Sequence, residues 1–259
     1  MDIVELGIGL KEYKEIPVDH KYYNYRVSRY KYIHEEERWE TIKGKPSFFE
    51  EVIEVNIHSS THVDAICHYA LNGIGFRGIV FDNVKTYQFS AEDIPIIKGN
   101  AVMLDFPKYL GVDRMKNNQQ ITVEMLEGVI AKQNVELKKG DILLLRTGHI
   151  QLFLEDKIED YFEQEPGVGL EAIFWLKEKD LYAIGADNFA VEQIPTSQNE
   201  FDNFYPFHRV FIKENGVYII ENLNLEELAQ REIYEFQFIG TPIRFKGCSA
   251  ALMNPIAVI

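Results

Sequence analysis

Three histidines and one aspartate cluster within the eleven residues from His58 to His68, where the chain reads HSSTHVDAICH. The whole chain of 259 residues has only seven histidines. Neutral imidazole nitrogens and carboxylate oxygens are ligands that zinc, manganese and iron(II) accept, and each of them binds weakly alone. The clustering of His58, His62, Asp64 and His68 therefore predicts a metal site in this segment.

The backbone pattern around this segment favours convergence of its side chains. Residues 52–58 alternate polar and apolar side chains, which predicts a half-buried strand that ends at His58, and the small polar residues that follow predict a turn. His62 and Asp64 are two residues apart, so in an extended segment they share one face and can bind the same ion. His68 lies four residues beyond Asp64, where it can face the ion without having to bind it.

A metal ion at such a cluster would support hydrolysis. A divalent ion can lower the pKa of bound water from about 15.7 to about 7, and it can polarise a carbonyl group as a Lewis acid. The chemistry predicted from these residue types is therefore activation of water or polarisation of a carbonyl group by a bound ion.

A carboxylate further along the chain has a setting that also suits a cation. Glu221 directly follows the apolar run 218–220, where a buried sheet is expected to meet its loops. A carboxylate at such a place usually needs a partner such as a cation. His208, in contrast, is unremarkable by its local sequence alone.

The elements that must position these residues alternate between strand and helix in the later part of the chain. Apolar runs predict the strands, and helical periodicity with capping residues such as Thr122 predicts the helices. The first third is rich in strand patterns with longer loops. This arrangement predicts an α/β (mixed α+β) fold with helices packed outside a central mixed β-sheet. The predicted strands are 101–106, 141–146, 181–185 and 217–220, and the predicted helices are 122–132, 170–179 and one that Asn224 caps.

Composition limits the organisation and the partners of the chain. With 46% hydrophobic and 26% charged residues and no Pro/Gly/Ser-rich linker, we expect a single domain over residues 1–259. A formal charge of −14 argues against binding to nucleic acid or anionic membranes. No secretory signal is visible, nor any apolar run of the ~20 residues that span a membrane, so we expect a cytoplasmic protein that acts on a small molecule. Cys67 and Cys248, the two cysteines, do not imply a disulfide framework.

Two other motifs have simpler interpretations. Gly73, Gly75 and Gly78 match the G-x-G-x-x-G spelling of dinucleotide-binding loops, but a β-type apolar run follows them where a helix should begin. These glycines are expected to form a loop beside the metal motif. Cys67 and His68 are neighbours that point to opposite faces of an extended chain, so they are poorly placed to act as nucleophile and base. Cys67 is therefore expected to be a small buried hydrophobic residue.

The motif H-x-x-T-H-x-D-x-x-x-H at residues 58–68 resembles the signature of the cyclase-like metal-dependent hydrolases, the family of bacterial kynurenine formamidase and isatin hydrolase. The family motif is His-x-Gly-Thr-His-x-Asp-x-x-x-His. The resemblance runs from about residue 50 to the C-terminus and implies the swivelling β/α/β cyclase-like fold. Further stretches that resemble the family are 185–187, 208–209 with 220–223, and 241–243 with 254–257.

The resemblance implies a metal-binding role for five residues. His58, His62 and Asp64 would hold a first divalent ion, zinc or manganese. Asp64 and Glu221 would bridge to a second ion, and His208 would complete that second site. We therefore expect one or two ions per chain.

The same resemblance implies that His68 donates and accepts protons. In the family's reaction, activated water attacks a formamide or cyclic amide carbonyl, the metal stabilises the oxyanion, and the base delivers a proton to the leaving nitrogen. Asp187 is expected to be structural or to orient a ligating histidine. The leading interpretation is a metal-dependent hydrolase of a small amide, working as a homodimer or homotetramer. A metal-dependent cyclase or dehydratase, and a non-catalytic metal-binding or ligand-binding protein, stay open as alternatives.

Two departures from the family pattern bear on the local backbone. Ser60 stands where the family has glycine, which affects the backbone angles of the turn. The interval from His208 to Glu221 is one residue longer than the family spacing. The pair 215–216, Asn-Gly, is expected to absorb the extra residue in a hairpin turn.

Overall fold

Strands β1 to β15, numbered in chain order, build most of the framework. The computed structural model describes residues 2–10, 16–20, 23–27, 31–33, 52–81, 88–195 and 205–259. The strands are β1 Ile3–Glu5, β2 Ile16–His20, β3 Tyr23–Val27, β4 Lys31–Ile33, β5 Val52–Glu54, β6 His62–Asp64, β7 Ile97–Asp105, β8 Gln120–Ile121, β9 Ile142–Arg146, β10 Gly167–Val168, β11 Ala183–Ala186, β12 Tyr218–Glu221, β13 Glu235–Gly240, β14 Ala250–Leu252 and β15 Ile256–Val258.

Nine of these strands form one mixed sheet in the order β1-β15-β13-β7-β9-β11-β12-β6-β14. The central strands β7, β9, β11 and β12 are parallel to their neighbours within this group. The strands on both sides of the group are antiparallel to the strands they pair with. The sheet therefore has a parallel centre with antiparallel flanks.

Helices connect the parallel strands and cover the sheet. Together with the sheet they confirm the predicted mixed α+β class. None of the helices in the described stretches is long and apolar enough to cross a lipid bilayer. The single domain over residues 1–259 stays a prediction. The helices are α1 Phe106–Leu110, α2 Val123–Gln133, α3 Ile150–Leu154, α4 Ile158–Glu163, α5 Leu170–Lys177, α6 Pro206–His208 and α7 Glu226–Gln230, with 3-10 turns at Phe76–Gly78 and Ala91–Asp93 and a π-helical segment at Arg209–Glu214.

The central strand β9 is buried on both faces. Leu143 and Leu145 pack into the hydrophobic cluster that contains the apolar side chains of α2 and α5. Ile142 and Leu144 pack into a second cluster on the opposite face, with side chains of β7 and β13. A parallel strand that is covered on both faces is apolar at every position, which is why residues 142–145 show no alternation.

Thr122 is the N-cap of α2 as predicted, whereas Asn224 lies one residue before Leu225, the N-cap of α7. The Thr122 hydroxyl accepts a hydrogen bond from the backbone N–H of Met125 (3.2 Å) at the start of α2. The Asn224 side-chain oxygen accepts one from the backbone N–H of Glu226 (3.2 Å), the first residue of α7. Both bonds satisfy N–H groups that have no partner within the helix.

The predicted strand 52–58 is wrong at its carboxyl end, because β5 ends at Glu54. The Asn56 side-chain oxygen accepts a hydrogen bond from the backbone N–H of His58 (2.9 Å), and the Asn56 carbonyl accepts one from that of Ser59 (3.0 Å). These local bonds replace strand pairing with a turn. His58 therefore lies in this turn.

The predicted hairpin at Asn215 and Gly216 is also wrong. Asn215 ends the π-helical segment Arg209–Glu214, and Gly216 follows with a φ of +67°. A π-helical turn holds one residue more than an α-helical turn, so this segment accommodates the longer interval before β12. Strand β12 then pairs with β11 and β6, which are distant in sequence.

Candidate metal centre

Six side chains with imidazole or carboxylate groups converge beside strands β6 and β12. His62 and Asp64 lie two residues apart on β6, and β12 ends at Glu221. The two strands are antiparallel, and their register places Glu221 opposite His62. Directly opposed residues share a face of the sheet. The other three side chains flank these strands: His58 in the turn before β6, His68 after β6 and His208 at the end of α6.

Four of these residues direct ligand atoms at one point. The Nδ1 atom of His58 lies 3.0 Å from Nε2 of His62 and 3.3 Å from Oδ1 of Asp64. The Nε2 atom of His62 lies 3.4 Å from Oδ1 of Asp64 and 3.1 Å from Oε2 of Glu221. Ligands about 2.1 Å from a shared tetrahedral ion are about 3.4 Å apart. These four side chains can therefore hold a divalent metal ion.

A second group of ligand atoms adjoins the first. The Oδ2 atom of Asp64 lies 3.6 Å from Nε2 of His208 and 3.8 Å from Nε2 of His68. The Oε1 atom of Glu221 lies 3.3 Å from Nε2 of His208. Asp64 and Glu221 thus face each group with a different oxygen atom. That is the arrangement expected of carboxylates that bridge two ions.

The shared carboxylates lack other partners. Both carboxylate oxygens of Asp64 and the Oε1 atom of Glu221 are buried, and within the described stretches they accept no hydrogen bond from any group outside the neighbouring histidines. A buried carboxylate without hydrogen bonds or a cation is strongly unfavourable. The donor set therefore fits a divalent metal ion.

The same carboxylates attract protons onto the buried histidines. Burial lowers the pKa of His62, but hydrogen bonds and charges from Asp64 and Glu221 outweigh burial and raise this pKa to about 10. Burial also lowers the pKa of His208, but Asp64, Glu192 and Glu221 raise it well above its ordinary value. In the metal-free protein, protons on these two rings therefore balance the negative charge of the shared carboxylates.

The candidate centre opens to solvent on one side. The side chains of His58 and His68 are 27% and 31% exposed, whereas those of His62 and Asp64 are fully buried. The rings of His58 and His68 lie side by side, with centroids 4.5 Å apart. Burial lowers the pKa of His68, which keeps this imidazole neutral and able to accept a proton. A substrate would therefore approach over these two rings.

Sequence analysis missed Glu192, which orients His208. The Oε1 atom of Glu192 lies 2.7 Å from Nδ1 of His208, and Glu192 also accepts a hydrogen bond from the backbone N–H of Phe207 (3.2 Å). A proton on Nδ1 leaves the lone pair of a neutral His208 ring on Nε2, which faces the carboxylates. The one available signal was an acidic residue directly after the apolar run 189–191, the same pattern that drew attention to Glu221.

Two further groups orient the other histidines and have no sequence signal. The Nδ1 atom of His62 lies 2.8 Å from the carbonyl oxygen of Ser60. The Nε2 atom of His58 lies 3.1 Å from the hydroxyl of Ser249, 191 positions away in the chain. Ser60 is not among the residues with positive φ, so serine suits this position in the turn.

Asp187 has a structural role. It accepts hydrogen bonds from the backbone N–H and the hydroxyl of Thr147 (2.8 and 2.6 Å) and from the backbone N–H of Gly148 (2.7 Å). Burial raises the pKa of Asp187 to about 6. It therefore joins the end of β11 to the loop after β9.

The two alternative motifs do not form the sites that their spelling suggests. Cys67, predicted to be buried, is only partly buried and packs against the hydrophobic core. Burial raises the pKa of the Cys67 thiol to about 11, and this thiol donates a weak hydrogen bond to the carbonyl of Cys248 (3.7 Å). Both cysteines are free, and a thiol with such a pKa is a poor nucleophile. The glycines of residues 73–78 form turns that lead into a three-residue 3-10 turn, so they do not open a helix as a dinucleotide-binding loop would.

Comparisons with known proteins place the chain among cyclase-like proteins. The family model "Cyclase", described as "Putative cyclase", matches residues 11–193. Cyclase-like protein 1 of Arabidopsis thaliana is 24% identical over 205 residues, which are 77% of this chain and 65% of that protein. Cyclase-like protein 3 of Oryza sativa subsp. japonica is 23% identical over 204 residues, 78% of this chain and 62% of that protein. The chain thus spans less than two thirds of the length of these curated relatives.

Solved structures share the fold. The crystal structure of a novel cyclase has a TM-score of 0.81 at 24% sequence identity, over 100% of this chain and 88% of that one. Isatin hydrolase A from Labrenzia aggregata, bound to benzyl benzoate, has a TM-score of 0.73 at 21% identity, over 99% of this chain and 93% of that one. Because the family model matches more than half of its residues, this chain belongs to the cyclase family.

Proposed function

We propose that this protein is a metal-dependent hydrolase that cleaves the carbon–nitrogen bond of a small amide, either an aryl formamide or a cyclic amide. The observation that carries the proposal is the pair of ligand groups that share Asp64 and Glu221 and open to solvent beside His68. A purely structural metal site would be closed by protein ligands and would need no acid–base group beside it. The fold of isatin hydrolase supports the substrate class, because isatin is a cyclic amide.

Zinc or manganese bound here, as one or two ions per chain, would polarise the substrate carbonyl and make water a better nucleophile. The chain itself prepares the site for such an ion. The Ser60 carbonyl and the Glu192 carboxylate hold protons on the Nδ1 atoms of His62 and His208. Both Nε2 atoms therefore present lone pairs towards the shared carboxylates once their protons have left.

His68 is the proposed acid and base. Its Nε2 atom lies 3.8 Å from Oδ2 of Asp64, and its ring, most of which is buried, stays neutral because loss of hydration lowers its pKa. The neutral ring accepts a proton from the attacking water. The resulting imidazolium is stabilised by the Asp64 carboxylate and returns the proton to the leaving nitrogen.

Metal analysis combined with a substrate panel tests this proposal. The protein is purified without chelator, analysed for metals, loaded with zinc or manganese, and assayed on aryl formamides, isatin and other cyclic amides, and lactones. We expect metal-dependent hydrolysis of at least one amide that chelator abolishes and added metal restores. Metal-loaded, folded protein that hydrolyses none of these amides would contradict the proposal.

A metal-dependent cyclase or dehydratase is the second candidate, favoured by the description of the matching family. The two reactions differ in the fate of water. Hydrolysis in ¹⁸O-labelled water puts the label into the carboxylate product, whereas cyclisation with loss of water does not. Mass spectrometry of the product therefore distinguishes them.

Assembly and location are also proposals. We infer a homodimer or homotetramer in the cytoplasm, with a small molecule as substrate. Light scattering coupled to size-exclusion chromatography measures the number of chains, and a monomer at working concentration would contradict the assembly.

A further inference from the structure

The carbonyl oxygen of Ser60 sets the orientation of His62. It is the acceptor for Nδ1 of His62 at 2.8 Å. When the single proton of a neutral imidazole is on Nδ1, the lone pair is on Nε2, which faces Asp64 and Glu221. The opposite tautomer would point an N–H at the metal position. The placement of the Ser60 carbonyl therefore bears directly on metal binding.

Asn222 holds this carbonyl in place. Its side-chain Nδ2 donates hydrogen bonds to the carbonyl of Ser60 (3.0 Å) and to that of His58 (3.3 Å). The same nitrogen lies 3.4 Å from Nδ1 of His62, so the amide is in contact with the ring as well as with the turn. The two carbonyls can only accept, so the amide nitrogen must face them and the amide oxygen must face away. That oxygen accepts a hydrogen bond from the hydroxyl of Tyr161 (2.6 Å). Tyr161 thus determines the direction of the amide.

The backbone of Asn222 joins the two segments that carry the ligands. Asn222 directly follows Glu221, and its carbonyl accepts a hydrogen bond from the hydroxyl of Thr61 (2.5 Å), which directly precedes His62. Its φ of +57° lies in the left-handed region, where asparagine and glycine are favoured. Tyr161 and Asn222 are both buried, with 0% and 1% exposure. Water therefore does not compete for these hydrogen bonds.

We propose that Asn222 and Tyr161 are positioning residues of the metal centre, which fix the turn at residues 58–60 and hold the His62 ring in its metal-binding orientation. Neither residue touches the metal position, and Tyr161 acts only through Asn222. The inference rests on the proposed metal-dependent function, but it concerns metal affinity and can be tested without a substrate.

Two substitutions test the side-chain hydrogen bonds while preserving the positive φ of the backbone at residue 222. Asn222→Gly keeps a residue that tolerates positive φ and removes all three hydrogen bonds of the side-chain amide, whereas Tyr161→Phe removes only the hydroxyl. Asn134→Gly is the matched control for the first, because Asn134 also has a positive φ (+53°) and lies exposed at the end of α2. Tyr182→Phe is the control for the second, because Tyr182 is partly buried and packs against Tyr218 away from the candidate centre.

Titration calorimetry with zinc or manganese chloride measures the affinity of each variant, and thermal unfolding of the metal-free proteins checks the fold. Orienting groups around metal ligands contribute roughly 10- to 100-fold to affinity, so we expect Asn222→Gly to raise the dissociation constant by about that factor. We expect a smaller rise for Tyr161→Phe and no change for the two controls. Combined with Asn222→Gly, the Tyr161→Phe change should cause no additional loss of affinity.

Several results would overturn the inference. One is a folded Asn222→Gly variant whose metal affinity stays within about threefold of the wild type. Another is a double variant whose losses multiply, because Tyr161 would then act by a separate route. If the variants lose affinity as expected while the metal-loaded wild type hydrolyses no amide, the positioning role stands and the proposed hydrolase function fails. If the wild type hydrolyses an amide and the variants bind metal normally, only the positioning role fails.

Discussion

Metal binding to this protein should release protons, because His62 and His208 hold them in the metal-free state. The pKa of His62 is raised to about 10, which is three units above neutrality. Each unit corresponds to about 1.36 kcal/mol, so displacing this proton at pH 7 costs about 4 kcal/mol and weakens apparent metal affinity roughly a thousandfold. The raised pKa of His208 adds a second proton for an ion in the adjoining group.

The pKa values of His62 and His208 determine the direction in which metal affinity changes with pH. Both pKa values are raised, and protons on these rings compete with the metal ion, so this competition weakens as the pH rises. Apparent affinity should increase about tenfold per pH unit for each released proton between pH 6.5 and 8. In the absence of metal, the stability contributed by protonated His62 is fully present below pH 6.5 and is lost as pH rises through about 10.

Calorimetric titration in two buffers of different ionisation enthalpy at pH 7 counts the protons. We expect at least one proton released per zinc or manganese ion bound, and fewer protons for Glu192→Gln, because Glu192 helps to raise the pKa of His208. A dissociation constant that does not change from pH 6.5 to 8, with no proton transferred to the buffer, would refute the reasoning.

Three further predictions follow from the same structure. His68→Ala should retain metal and lose turnover by roughly 10²–10⁴-fold, whereas Asp64→Asn should lose metal and activity together; if metal analysis shows an empty His68→Ala protein, His68 is a ligand. Burial raises the pKa of Glu165 well above its ordinary value, so ionisation of this carboxyl destabilises the fold as pH rises. Glu165→Gln should therefore raise the melting temperature more at pH 8 than at pH 5. Equal increases at the two pH values would show that ionisation of Glu165 is not what destabilises the fold. Asp187→Asn should lower the free energy of unfolding by about 1–3 kcal/mol, measured by urea denaturation, and leave metal content unchanged; metal loss would show that Asp187 also supports the centre.

Much of the framework was predictable from local patterns. The strand over residues 142–145 was visible because every side chain in it is apolar, and helix α2 because Thr122 caps it. The errors occurred where side chains redirect the backbone. Asn56 ends a strand pattern by bonding to the next residues of the chain, and the segment 209–214 forms a π-helical turn that periodicity does not encode. Local patterns describe preferences of short segments, and these hydrogen bonds override them.

The sequence by itself determined that His62 and Asp64 share one face, because side chains two residues apart in a strand must do so. It also placed His58 and His68 close by, through their short separation in the chain. The resemblance implied that the distant residues Glu221 and His208 complete the centre, but only the tertiary structure brings them to it. Glu221 reaches His62 because β12 pairs with β6 in a particular register, a contact across 159 positions of the chain. No local preference specifies that pairing. It results from burying both faces of the central sheet, and that burial depends on the whole fold.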